Sequence, residues 1–238
     1  MDGTAAEKRR VGGLSKVATL ALACVVGLGM MAALSGCTLW TVRSLHPAEG
    51  EGTVGSAVPG EPGFSPAAYV ASIWESQVLP EAENKSTDLG TLLDALRANP
   101  DAAKEQYGHR EGQRPYNFLV KGEAKVLSVD TASRAGTIKI DLLPGDGQPD
   151  ATLQVGPVIR GTSIRDALPF IQFNMFVNQL EYASVSNAMN ERVAEDVIGN
   201  LDLASLQGKT IDFRGAFTLE ERGNVNDVLI TPVKITVK

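Results

Sequence analysis

Residues 117–155 read NFLVKGEAKVLSVDTASRAGTIKIDLLPGDGQPDATLQV, and this stretch decides the fold because its apolar residues recur at every second position. Phe118, Val120, Ala124 and Val126 share one face of an extended chain, and Leu127 and Val129 then switch to the other, which places a β-bulge near Val126. Ile138, Ile140 and Leu142 alternate with Thr137, Lys139 and Asp141, and Pro144-Gly145-Asp146-Gly147 supplies a turn into Leu153 and Val155. Three strands in a meander follow from this pattern.

Downstream, a helical stretch is expected from about Asp166 to Ile198, with Pro169 tolerated in its first turn, where a missing N–H loses no partner. Two strands come after it. Ile211, Phe213, Gly215, Phe217 and Leu219 alternate, and Val228 and Ile230 begin a last strand whose parity shifts after Pro232 to Val233, Ile235 and Val237. Three strands, a helix and two strands is the element order of an oligonucleotide/oligosaccharide-binding (OB) barrel. An unrelated α+β sheet packed on one long helix gives the same order.

Upstream, Ser65-Pro66 reads as a helix start, followed by Tyr69, Val70, Ile73, Trp74 and Val78 at helical spacing and ended by Pro80. Trp74 reads as a core anchor. A second helix carries Leu89, Leu92, Leu93 and Leu96, and Asn99-Pro100 starts a short third one ending near Gly108. The expected class is therefore α+β, with a small helical subdomain at 64–112 and an OB-like five-stranded β-barrel at 113–238 that carries a long helix between its third and fourth strands. Residues 37–63, rich in Gly, Pro and Glu with no apolar period, read as a flexible tether.

The first 36 residues read as a bacterial lipoprotein signal peptide. Lys8, Arg9, Arg10 and Lys16 form the basic start, Val17 to Leu34 the apolar middle, and Ser35-Gly36 the small residues before Cys37, whose sulfur would take the lipid. An uncleaved membrane helix is the alternative, since the run falls within the roughly 17 to 25 residues that span a bilayer. Cys24 lies inside the run, so cleavage would leave Cys37 alone and blocked, with no disulfide, thiol nucleophile or cysteine metal site. This places the protein outside the cytoplasm, on the periplasmic side or outer surface.

The chain holds 22 basic and 28 acidic residues, of which the first 36 positions take four and two, so the remainder carries 18 against 26. That excess of negative charge, with no basic cluster and no interleaved aromatics on the strands, argues against nucleic acid as a partner.

The segment QVGPVIRGTSIRDALPFIQFNMFVNQLEYASVSNAMNER, residues 154–192, concentrates glycine turns, arginines, phenylalanines and amides. Counting helical angles from Asn174, Phe173, Phe176, Leu180 and Ala183 fall on one side, with Asn174, Asn178, Glu181 and Tyr182 opposite. Val177, Val185 and Met189 share or flank that polar side, which raises the expectation of a helix covered on both faces. Three readings stand: a stripe that faces water, a buried polar network in which Arg160 and Arg165 partner Asn178 and Glu181, or a pocket for a polar small molecule. The candidate residues are Arg160, Arg165, Asp166, Asn174, Asn178, Gln179, Glu181 and Tyr182. Arg165-Asp166 reads as a local ion pair or a helix cap.

No catalytic set is expected. The two histidines, His46 and His109, lie far from this segment in sequence, so a serine-histidine-acid triad has no base and zinc no imidazole ligand. Gly145-Asp146-Gly147 is followed by no Lys-Ser/Thr and reads as a turn, not a phosphate loop. A carbohydrate hydrolase would require a second carboxylate within roughly 5 to 9.5 Å of Glu181. No metal or cofactor is expected.

Several separated motifs carry a family resemblance: Ala67-Ala68-Tyr69-Val70 with Trp74 and Pro80, Tyr107-Gly108, Gly156-Pro157-Val158-Ile159-Arg160-Gly161-Thr162, Arg165-Asp166-Ala167-Leu168-Pro169-Phe170, Asn178-Gln179-Leu180-Glu181-Tyr182-Ala183 and Thr231-Pro232-Val233. In this order, over about Phe64 to Lys238, they resemble a bacterial family of predicted periplasmic lipoproteins of unknown function. Members are often encoded beside sugar ABC transporters. The resemblance therefore implies an accessory role in uptake, with a transporter component or a polar ligand such as a sugar as partner, and supplies no catalytic residues.

Overall fold

A computed structural model describes residues 55–220, 224–226 and 228–238. The signal peptide, Cys37 and His46 lie outside the described residues. The end of the expected tether is folded: Ser56 bridges to Phe64, and the Ser56 amide donates to Gly63 O at 3.0 Å, closing a short loop.

Ser65 caps helix α1 (Pro66–Ile73) by accepting the Ala68 amide at 3.2 Å. Pro80 does not end the helical run there. A π-turn over Trp74–Val78 intervenes, and helix α2 (Leu79–Lys85) then starts with Pro80 in its first turn, where a residue without an N–H breaks no intrahelical bond. A two-residue strand β1 (Thr87–Asp88), which no sequence pattern announced, leads into helix α3 (Leu89–Ala98), capped by Asp88 through the Thr91 amide. Helix α4 (Pro100–Tyr107) follows, capped by Asn99. Leu89, Leu92, Leu93 and Leu96 are all buried on α3, and Trp74 is buried as expected of a core residue.

The strands are β2 (Tyr116–Asp130), β3 (Thr137–Leu142), β4 (Ala151–Gln154), β5 (Thr210–Leu219) and β6 (Val228–Val237). β2 pairs antiparallel with β3 and with β5, β3 antiparallel with β4, β4 parallel with β6, and β6 antiparallel with β5. The hydrogen-bonded neighbours thus return to their starting strand, while β1 adds to β2 in parallel at Thr87↔Val120. Phe118 and Phe217 stack at 5.0 Å between ring centres inside this ring of strands.

The bulge in β2 falls between Val126 and Ser128, as the parity switch indicates. Likewise, β5 and β6 shift register between Arg214 and Gly215, opposite Pro232. Asp141 departs from the alternation. It is buried rather than solvated, because its carboxylate caps the following turn by accepting the amides of Asp146 at 3.2 Å and Gly147 at 2.8 Å. Gly145 and Gly147 take φ of 84° and 85° there, a conformation glycine adopts without steric cost.

The helix expected from Asp166 to Ile198 is broken. Helix α5 (Ser163–Ala167) stops at Leu168, which is extended at φ −98° and ψ 107° because the ring of Pro169 disfavours a helical residue before it. A 3-10 turn over Phe173–Met175 follows, and helix α6 (Gln179–Arg192) begins only after Asn178, then runs into a π-turn over Val193–Ile198. Counting faces from Asn174 therefore misassigns them. Tyr182, Val185, Ser186, Met189 and Val193 face the core, whereas Leu180 and Ala183, expected on the greasy side, are exposed.

Candidate functional site

Arg165 is the centre of the polar interior. It sits on α5 at 5% exposure, and a guanidinium in that position requires both a counter-charge and acceptors for its N–H groups. Asp166 supplies the charge: its Oδ1 accepts Nε at 2.7 Å and lies 2.6 Å from Nη2. Nη1 donates to Tyr182 O at 2.9 Å and to Ser186 Oγ at 2.7 Å, which ties α5 to α6. The guanidinium also lies 3.6 Å from the centre of the Tyr182 ring, within cation–π range.

Tyr182 carries this network outward. Its hydroxyl donates to Asp166 Oδ1 at 3.1 Å and accepts from Arg114 Nη1 at 3.1 Å. Burial pushes the phenol above its ordinary pKa, and the neighbouring Asp166 carboxylate adds to the effect. Thr162 Oγ1 donates to the other Asp166 oxygen at 2.6 Å, so that both carboxylate oxygens have partners.

Above Tyr182 opens a cleft of about 310 Å³ lined by His109, Arg110, Glu111, Arg114, Asn117, Asp166, Ile171, Gln172 and Tyr182. Two segments build it: the charged connection between α4 and β2, and the irregular chain between α5 and α6. His109 is held by its backbone, which exchanges both hydrogen bonds with Asn117, and by its ring. Nδ1–H donates to Asp166 O at 2.9 Å, and because a carbonyl can only accept, neutral His109 keeps its Nε2 as an acceptor. Glu111 Oε1 accepts the Phe173 amide at 3.0 Å. Its Oε2 lies 3.3 Å from Arg114 Nη1 yet accepts no hydrogen bond, although that oxygen is buried. Phe173 meets Tyr182 edge to face at 5.5 Å and shields one side.

Of the residues singled out from sequence, Arg165, Asp166 and Tyr182 converge here. The others do not. Asn178 is exposed and caps α6, its Oδ1 accepting the amides of Leu180 and Glu181 at 2.9 Å each. Glu181 partners neither Arg160 nor Arg165; Oε2 accepts the Val177 amide at 3.2 Å. Asn174 and Gln179 are exposed, and Arg160 contributes its backbone to Gln154 while its side chain is exposed. His109, Arg110, Glu111, Arg114 and Asn117 escaped the sequence reading. The density of charge in the 109–114 connection was the available signal, since binding groups concentrate in such loops.

A second, wider groove of about 560 Å³ runs along Leu79, Pro80, Val197, Leu201, Val233 and Ile235. Its charged border is mostly paired, although Arg192 Nε, 3.1 Å from Asp196 Oδ2 behind it, is buried without a hydrogen bond. Arg214 binds both oxygens of Glu83, which holds that carboxylate below the usual range. The smaller cleft is lined mainly by polar and charged side chains, the groove mainly by apolar ones between its charged ends.

A family model described as predicted periplasmic lipoprotein (DUF2291) matches residues 28–236. No curated protein matches the chain. Among solved structures, the chain is similar to an OB-fold protein from Thermotoga maritima MSB8, at 18% identity and a TM-score of 0.64, over 74% of this chain and all of that one. At that identity the likeness concerns the fold alone.

Proposed function

We propose, from the premise that this chain belongs to the predicted periplasmic lipoprotein family, that it is a binding module anchored through lipid on Cys37, which holds a small polar ligand in the cleft between His109 and Tyr182. Membership places the protein outside the cytoplasm at a membrane. The closed ring of strands is read as an OB-like barrel, with residues 64–112 as its helical companion. An accessory role beside a sugar ABC transporter fits this reading.

The observation that carries it is the buried Glu111 Oε2 without a hydrogen bond. Its charge is met by Arg114 at 3.3 Å but its hydrogen-bonding capacity is not, and because buried polar atoms are nearly always hydrogen-bonded, this favours a donor arriving from outside the chain. Around it stand donors on Arg110, Arg114 and Asn117 and a second acceptor at His109 Nε2. A hydroxyl both donates and accepts, so a polyhydroxylated molecule satisfies such a mixed wall better than a purely anionic or cationic one. The volume suits a ligand at the small end of the usual 300 to 1,000 Å³ range.

A second reading makes the protein an envelope interaction protein whose Arg165 network only joins α5 to α6; the burial of Arg165 among partners from its own chain favours it. Thermal unfolding of the mature chain against a panel of monosaccharides and polyols separates the two, because a ligand that binds the folded state raises the melting temperature. The binding reading expects a saturable rise that Glu111→Ala abolishes while Glu181→Ala retains it. A panel with no rise from any compound supports the interaction reading instead.

A further inference from the structure

Five of the eight exposed large apolar side chains among the described residues lie in two short segments: Val58 in the 56–63 loop, and Phe173, Met175, Val177 and Leu180 in the stretch from the 3-10 turn to the first turn of α6. Val177 and Leu180 are 67% and 76% exposed, values at odds with the usual fate of such residues. The two segments meet. A side-chain carbon at Gly60 would lie 3.6 Å from Met175 O and 3.9 Å from Val177 Cγ2.

The same place is where the chain arrives from its anchor. Gly55 stands at the base of the 56–63 loop, so close to Ser65 that a side-chain carbon would sit 2.7 Å from that residue's Cβ. Ser56 is paired to Phe64 and Ser65, which fixes this point on the fold. Seventeen residues separate Cys37 from Gly55. Even fully extended, that length reaches only about 60 Å, and the attachment point lies on the apolar side of the domain.

We propose that Val58, Met175, Val177 and Leu180 form a membrane-docking face, which rests against the hydrocarbon boundary of the bilayer that holds the lipid on Cys37. Apolar burial drives the contact, and the short tether raises the local concentration of bilayer at this face. Among the described residues, the charged groups bonded to these two segments include Glu61, on Ser56, and Glu181, on the Val177 amide, so the lipid preference of the face is for an uncharged surface rather than an anionic one. Phe173 links the face to the cleft through its contact with Tyr182. The domain would thus stand with its cleft mouth beside the membrane.

This inference rests on the lipid anchor of the proposed function. The test uses the mature lipidated chain carrying Leu180→Cys, labelled with an environment-sensitive thiol dye and reconstituted into phosphatidylcholine vesicles. The control is Leu229→Cys, an exposed apolar position on β6. One dye per chain, a blue shift at position 180 and at least twofold stronger quenching by a lipid-borne quencher there than at 229 support docking. One dye per chain with equal quenching at both positions overturns docking and leaves the anchor standing. Two dyes per chain mean that Cys37 is free, which removes the anchor and docking together. A blue shift at 180 that appears in detergent and grows with protein concentration assigns the face to a second copy of the chain instead.

Discussion

The guanidinium of Arg165 lies over the ring of Tyr182 at 3.6 Å while donating to the carbonyl of the same residue at 2.9 Å, so one side chain holds a residue by both its ring and its backbone. With Asp166 at 14% exposure as its counter-charge, this is a buried ion pair with aromatic cover. Removing one member of such a pair strands the other. Arg165→Met is expected to destabilise the fold by about 3 to 5 kcal/mol, measured by urea unfolding. Adding Asp166→Asn should recover part of that loss, and strictly additive effects would show that the two residues do not act as a pair.

Tyr182 gives a pH signature. Its phenol is raised by burial and then by Asp166, so the fold favours the neutral form. The stabilisation it contributes is fully present below the ordinary phenol range and is lost as pH climbs through the higher folded value. Tyr69 and Tyr116 are raised too, so tyrosinate absorbance of the folded protein should show a late-titrating component that loses one tyrosine's amplitude in Tyr182→Phe. An unchanged titration curve in the variant would contradict this.

Asn178 tests whether a residue of the apparent polar stripe has more than a structural role. Loss of a helix cap costs about 0.5 to 2 kcal/mol. Asn178→Ala should lower stability by that amount and leave any ligand-induced shift intact, because its Oδ1 is fully used on Leu180 and Glu181.

Gly156 is a packing requirement. A Cβ there would stand 2.2 Å from Gly136 N and 2.3 Å from Arg134 O, both backbone atoms of the connection between β2 and β3. Gly156→Ala is expected to cost about 1 to 3 kcal/mol or more, read as a fall in the melting temperature.

Cys37→Ser tests the anchor directly. Growth with a labelled fatty acid should mark the native chain and not the variant, and a native chain that takes no label and keeps residues 17–34 would point to the uncleaved-helix alternative.

Strands β2 to β6 were legible because their apolar and polar residues alternate, and the parity switches at Val126 and Pro232 marked where pairing slips, whereas the two residues of β1 are too few to show a period. Asp141 was not, because its burial follows from a turn that folds back on it, which no period records. The break at Leu168 turned on one proline, and reading through it carried Leu180, Tyr182 and Ala183 to the wrong face, while Phe176, Asn174 and Asn178 kept the right one. Half of the cleft was hidden for a different reason. His109 reaches Asp166 across 57 positions, a contact made only once α5 and β2 are packed together.

The ring of strands has a last stitch. β4 is only four residues long, and its free edge is held by β6, which also lines the open side of β5. A chain crossing a membrane with its amino end leading would present β2, β3, β4 and β5 before the one strand that joins β4 to β5. Until then β4 and β5 each keep a bare edge, the kind of surface that recruits neighbouring chains. The order of emergence thus makes this protein vulnerable during export, and a residue change in β6 would be felt as lost yield before it is felt as lost stability.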